Sequence, residues 1–356
     1  MKPRTATEQS QKDGQGTVRR MILSVVGFVL LAGITLLLFA LGAIEAFART
    51  WHAGVIMGLV LIGLVVGTWH EWRALTQKRP QASLWTKRNA LDALAVVAGT
   101  LITYVLSVEV GLGAVVASAL GGVGIALLLP SVAVPFYCGT FVGMISPGLV
   151  VGWPALVLAG IVGGVVFVIG KGVFDGFGGK LGTTAFIACL ATALACGRVP
   201  LAVDVPGMPV IALAILYSAV GAAATWAISV RLKHGAVMAS GAVGLLAGLV
   251  LPAVHPDTGG LYALAVFSAT FAGMSGQQRL SNELPVAIAG LFCGAAVAIT
   301  GPYLGGAGGK LGTIAFGSSI AVAGSASLKA LVEARTKNPA RAQDLRPLGH
   351  SRHHQS

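Results

Sequence analysis

Two lysines in this chain share one local setting. Residues 178 to 186 read GGKLGTTAF, and residues 308 to 316 read GGKLGTIAF. The glycines disfavour a regular helix at 178–182 and 308–312, so helices are expected to begin near Thr183 and Thr313. The first N–H groups of a helix lack an intrahelical acceptor, and the helix dipole makes that end positive. A lysine adds a full charge. Gly178, Gly179, Lys180, Gly182 and Thr183, with Gly308, Gly309, Lys310, Gly312 and Thr313, therefore suit an anion or a polarised carbonyl. The clusters are not phosphate-binding Walker loops: position 174 is Phe, position 304 is Leu, and each lysine is followed by Leu. The plainer reading is a pair of lysines that snorkel to headgroups after tight turns.

A second block is doubled. TFVGM at 140–144 returns as TFAGM at 270–274. The first copy stands among Pro130, Pro135 and Pro147; the second reads GGLYALAVFSATFAGMSG. Paired short or Gly/Pro-broken apolar segments point to a transport site, which makes Thr140, Gly143, Thr270 and Gly273 candidates for lining one. The alternative is that these small residues serve helix packing.

Other chemistry is sparse. The chain has twelve Asp and Glu residues, and Asp92, Glu109, Asp175, Asp204 and Glu283 fall at the edges of apolar runs or in loops. Asp92 and Glu283 read as first-turn or cap residues; Asp175 is placed to pair with Lys171 or Lys180. That pattern argues against a carboxylate proton relay. His52, His70, His234 and His255 are scattered singly. Cys138, Cys189, Cys196 and Cys293 lie in apolar segments and read as core residues. No catalytic, metal or cofactor motif emerges, so a non-enzyme is expected.

The elements that position these residues follow from composition. The chain has 356 residues, of which 55% are hydrophobic and only 10% charged, and its mean hydropathy is +0.84. Such a chain cannot cover a soluble surface; it reads as an all-α polytopic membrane protein. The net charge of +12 is carried by tails and loops, so topology explains it better than nucleic acid. Apolar runs at about 21–43, 53–68, 91–107, 111–129, 131–146, 149–170, 181–197, 208–230, 236–252, 260–275, 284–300 and 311–331 give about twelve transmembrane helices. The number falls to ten if 131–146 and 260–275 are re-entrant. With twelve crossings and the N-terminus inside, all of the 24 Lys and Arg residues except Arg49, Arg198 and Lys310 fall on the inner side.

The doubling extends beyond these motifs. GAVVAS at 113–118 matches GAVMAS at 235–240, and the Leu-Pro pair at 129–130 matches that at 251–252. The blocks keep their order, which implies internal duplication. The expected organisation is a basic cytoplasmic tail at 1–20, a transmembrane hairpin at 21–68 and a basic cytoplasmic loop at 69–90. Membrane repeats at 91–197 and 208–331 follow, then a disordered basic tail at 335–356. Five crossings per repeat would insert the second upside down, placing Lys180 at the inner face and Lys310 at the outer. The plan resembles the broad class of inverted five-helix-repeat carriers. The doubled glycine-rich loops are similar to those of sodium-coupled carboxylate symporters, an architectural analogy that assigns no residue.

The expected function is an inner-membrane transporter or channel for a small anionic or polar solute, with both termini cytoplasmic. Its expected partners are that solute and the lipid bilayer, with self-association to a homo-oligomer left open and no nucleic acid. Two other classes are weighed beside it: a non-transporting scaffold or assembly subunit, and a membrane-embedded lipid-modifying enzyme.

Overall fold

A computed structural model describes residues 6–77, 86–150 and 152–337. The described residues fold into α-helices α1 (Ala6–Arg49), α2 (Trp51–Gln77), α3 (Lys87–Tyr104), α4 (Ala114–Leu128), α5 (Ala133–Gly143) and α6 (Gly152–Ile169). These are followed by α7 (Lys180–Ala195), α8 (Met208–Trp226), α9 (Ala236–Val254), α10 (Gly259–Gly273), α11 (Glu283–Ile299) and α12 (Lys310–Lys337). No strand forms among the described residues; Leu201 and Gly305 make one isolated antiparallel bridge.

Seven of the described helices are long and apolar enough to cross a membrane: α1 from Met21, α2, α3, α6, α8, α9 and α12. This is compatible with a multi-pass membrane protein. The others are shorter. The 11 residues of α5 reach only about 16 Å, well under a hydrocarbon core of about 30 Å. Pro130 opens the 3-10 turn ahead of α5 and Pro147 opens the one after it, so the chain breaks at both ends.

Several expected boundaries move. α2 runs through 69–77 into the segment expected as loop, and α3 begins at Lys87 inside the same segment. Helix also begins at Ala6 within the expected 1–20 tail. The expected 335–356 tail starts inside α12, and residues 338–356 lie outside the described ones, as do 1–5 and 78–85.

The doubled sequence produces doubled backbone geometry. α3 and α8 both end in a π turn, Val105–Glu109 and Ala227–Arg231. Gly113 (φ 76°) and Gly235 (φ 83°) precede α4 and α9. Phe174 and Leu304, 130 residues apart, both hold φ 53°, a left-handed conformation that side chains rarely adopt. Packing repeats too. In α6, Gly160 meets Val97 and Thr100 of α3, and Gly164 meets Ala93; in α11, Gly290 meets Ser218 and Ala219 of α8, and Gly294 meets Ile215. These contacts run antiparallel and depend on small residues that let backbones approach, a mode of packing compatible with helices in a membrane.

The two loops before α7 and α12 meet α1 at well-separated levels, one near its middle and one near its C-terminal end. Phe174 stacks on Phe28 with centroids 4.7 Å apart, and the Tyr303 hydroxyl donates to Glu45 Oε2 at 3.0 Å. Phe28 and Glu45 are seventeen residues apart in sequence, about 25 Å of helix.

Candidate functional site

The two glycine–lysine clusters meet. α7 and α12 begin at Lys180 and Lys310, three residues earlier than expected. Gly179 (φ 83°) and Gly309 (φ 86°) supply the left-handed turn, and the Thr183 and Thr313 N–H groups bond the Gly179 and Gly309 carbonyls, each at 3.1 Å. Gly182 and Gly312 therefore lie inside helices, contrary to the expectation that they would interrupt them. Their role is steric. A Cβ on Gly182 would fall 2.5 Å from the Gly312 Cα, and one on Gly312 would fall 2.5 Å from the Gly182 Cα. Gly179 lies against Phe316 and Gly309 against Phe186, so the first two turns of the helices cross antiparallel at glycine.

Gly178 and Gly308 also belong to close approaches. A Cβ on Gly178 would sit 2.0 Å from the Phe271 carbonyl oxygen, and one on Gly308 would sit 2.2 Å from that of Phe141. Each loop is thus pressed on the doubled TFxGM helix of the other half. The Gly276 N–H donates to the Gly176 carbonyl at 2.9 Å, and the Ser146 N–H to the Gly306 carbonyl at 2.8 Å.

The lysines themselves differ. Lys180 lines a cavity of about 280 Å³ whose walls include Phe141, Phe177, Phe271 and Met274, together with Gly178, Gly179 and Thr184. Lys171 lines it as well, and among the described residues no acidic one does. The Lys180 ammonium pairs with Asp175 Oδ1 at 3.1 Å, where Asp175 is half exposed. Lys171 turns to Asp92 Oδ2 at 2.5 Å and Asn89 Oδ1 at 2.7 Å. Of the two partners considered for Asp175, the structure selects Lys180. Lys310 instead donates to the carbonyl oxygens of Thr300 and Tyr303, both at 2.6 Å.

A second cation fastens the Lys180 side. Arg279, between α10 and α11, pairs with Glu71 of α2 through Nη1 at 2.5 Å and Nη2 at 3.0 Å. Its Nε donates to the Asp175 carbonyl at 2.8 Å, and its guanidinium lies 4.4 Å from the centroid of Phe177, a cavity wall. Neither Arg279 nor Glu71 was singled out by sequence, because their pairing joins positions 208 residues apart.

No family model matches the chain. No curated protein or solved structure matches it either. The site is therefore read from its own residues.

Thr140, Gly143, Thr270 and Gly273 do not line this cavity. Thr140 bonds Ser118 and Thr270 bonds Ser240, each at 2.8 Å, and all four hydroxyls are buried. Gly143 packs on Thr100 and Thr103, and Gly273 on Ala222 and Thr225. Within the same motifs, it is the phenylalanines that reach the cavity. Phe141 and Phe271 have centroids 4.6 Å apart and, with Tyr137 and Phe267, form an aromatic cluster at the junction of the two halves. The repeated Phe was visible in sequence, but an apolar residue in an apolar helix carried no distinguishing signal. Cys138, Cys189 and Cys293 are buried and Cys196 is half-buried; all are free.

Proposed function

We propose that the chain is an integral membrane transporter or channel that moves a small anionic or polar solute through a site between two inverted five-helix repeats. The observation that carries this reading is the Lys180 cavity, walled by α5 and the start of α7 from the first half and by α9 and α10 from the second, beside the antiparallel crossing of α7 and α12. Two helix starts bearing the same lysine motif meet antiparallel, and the loops that lead into them touch α1 at levels about 25 Å apart, as inverted repeats would require. Repeat interfaces with broken helices are where secondary transporters hold substrate. Irregular backbone at such depth is tolerated where it is buried in protein or faces a water-filled cavity.

What supports an anion is the lining: Lys171, Lys180 and the positive start of α7 face the cavity, while their carboxylate partners Asp92 and Asp175 stand behind them and are not among its described lining residues. In this conformation the glycine crossing and the aromatic cluster separate the Lys180 side from the Lys310 side. A carrier that opens alternately, or a channel closed at this point, would have that form. The proposed location is the cell's inner (plasma) membrane, with both termini cytoplasmic and Lys180 on the inner side.

The test is flux in proteoliposomes loaded with nitrate, formate, acetate or phosphate, with urea as a neutral control. Lys180→Ala is expected to lower anion flux at least tenfold while the protein stays folded; unchanged flux removes the lysine from the pathway. Single cysteines at 180 and 310 in a cysteine-free background should label from opposite sides of the bilayer. Labelling of both from one side would sink the inverted arrangement.

A second reading has an observation of its own. Most of each TFxGM segment is tightly packed, with Thr140, Val142, Thr270 and Ala272 all at 0% exposure. A non-transporting scaffold would be packed this way. It would be supported by a folded, reconstituted protein that passes none of the solutes above.

A further inference from the structure

A second cavity lies away from the Lys180 site, on the outer surface between α1, α3 and α6. α1 meets the end of α6 closely where Gly27 abuts the Ile169 carbonyl. On its way to that contact, the start of the apolar part of α1 leaves a groove of about 470 Å³. Ile22 and Leu23 form one wall; Ala90 and Ala93 of α3 and Val165 and Val168 of α6 form the other. From Thr86 to Ala93 the groove follows α3 for about 10 Å. A groove of this composition on a membrane-facing surface is solvated by hydrocarbon, since water there would have almost no polar partner.

One end is polar and basic. Thr86 and Asn89 line it. Lys87 and Arg88 are exposed beside it, and Lys171 bonds Asn89 at 2.7 Å. The acid of this cluster, Asp92, is buried and already paired with Arg88 and Lys171. Three cations against one carboxylate leave a local charge of about +2. The first N–H groups of α3 point the same way and add to the positive potential.

The geometry points to a binding site for one anionic phospholipid, with an acyl chain in the groove and its phosphate at the Lys87–Asn89 rim. The pairing is of charge with charge and of hydrocarbon with hydrocarbon, so a zwitterionic lipid satisfies only half of it. The site reaches the Lys180 cavity through a single side chain, because Lys171 bonds Asn89 at the rim and lines that cavity. It does not depend on the chain being a transporter.

The experiment is native mass spectrometry of the full-length protein titrated with phosphatidylglycerol or phosphatidylcholine of matched chains. One phosphatidylglycerol is expected to bind at least tenfold tighter than phosphatidylcholine, with inorganic phosphate failing to compete. Lys87→Gln should weaken the preference several-fold. Ala90→Trp, which fills the groove from an exposed position, should abolish the bound lipid while leaving the thermal midpoint intact. Equal binding of the two lipids overturns the headgroup assignment. Undiminished binding in Ala90→Trp overturns the groove. Lipid binding only after residues 78–85 are deleted would show that the chain itself covers the groove, and would also overturn it.

Discussion

The Lys180 loop and the Lys310 loop are near-copies in sequence, and their backbones agree to within a few degrees of φ at Phe174 and Leu304 and at Gly179 and Gly309. Their surroundings do not agree. Around Lys180 the contacts are charged: Asp175, then Arg279, then Glu71. Around Lys310 they are carbonyl oxygens, with Tyr303 held to Glu45. The position 130 residues before Arg279 is Leu149, which is fully buried. The contrast separates two demands on one motif. The glycines are needed equally on both sides, because the crossing at Gly182 and Gly312 is shared. The lysines answer to different neighbours, so their tasks can diverge while the backbone stays paired.

The largest expected effect tests the shared part. Gly182→Leu and Gly312→Leu each force a side chain into the partner backbone and should cost about 3 kcal/mol or more, seen as loss of folded protein in fluorescence-detected size exclusion. The two losses should be equal. A tolerated substitution on one side alone would break the symmetry of the crossing.

Next is the charged side. Glu71→Ala or Arg279→Ala removes one member of a largely buried, bidentate pair and should cost about 2 kcal/mol, less than a fully buried pair because Arg279 keeps some solvent. The double variant should cost little more than either single, as read by thermal unfolding. Additive losses would mean the two residues act apart.

The lysines come third. Lys310→Gln loses charge-assisted bonds to two carbonyls and should lower stability by about 1–2 kcal/mol. Lys180→Gln should lower stability less and, under the proposed function, anion flux more. The reverse pattern would exchange the roles assigned to the two loops.

The smallest effects lie where the helix pairs join. In the second half Arg231 Nη2 bonds Glu283 Oε2 at 2.7 Å. In the first, Trp153 meets Tyr104 edge-on with centroids 6.1 Å apart. Trp153→Ala should cost about 1 kcal/mol. Arg231→Gln, at an exposed pair, should leave the thermal midpoint unchanged within error.

Much of the helical plan was legible because it follows from local rules. Apolar runs bounded by charge mark helices whatever they pack against, and the blocks doubled at offsets of 122 and 130 are where the π turns and left-handed loops also recur, although neither shape was read from the sequence. Helix starts were misplaced by three residues because glycine propensity was weighed without its neighbour: Gly182 costs an isolated helix, but only glycine lets the partner backbone in. The reach of α2 to Gln77 was missed for the opposite reason. Polar residues end an apolar run without ending a helix.

By itself the sequence determined that the chain is apolar, helical and doubled, and that a lysine follows a glycine pair in each copy, since those properties are written in composition and spacing. Only the tertiary structure decided that the two copies cross at Gly182 and Gly312, that Phe141 and Phe271 rather than the neighbouring threonines wall the cavity, and that Lys180 faces it while Lys310 is held by carbonyls. These outcomes depend on which surfaces meet across more than a hundred residues, and steric fit of that kind leaves no periodic mark along the chain.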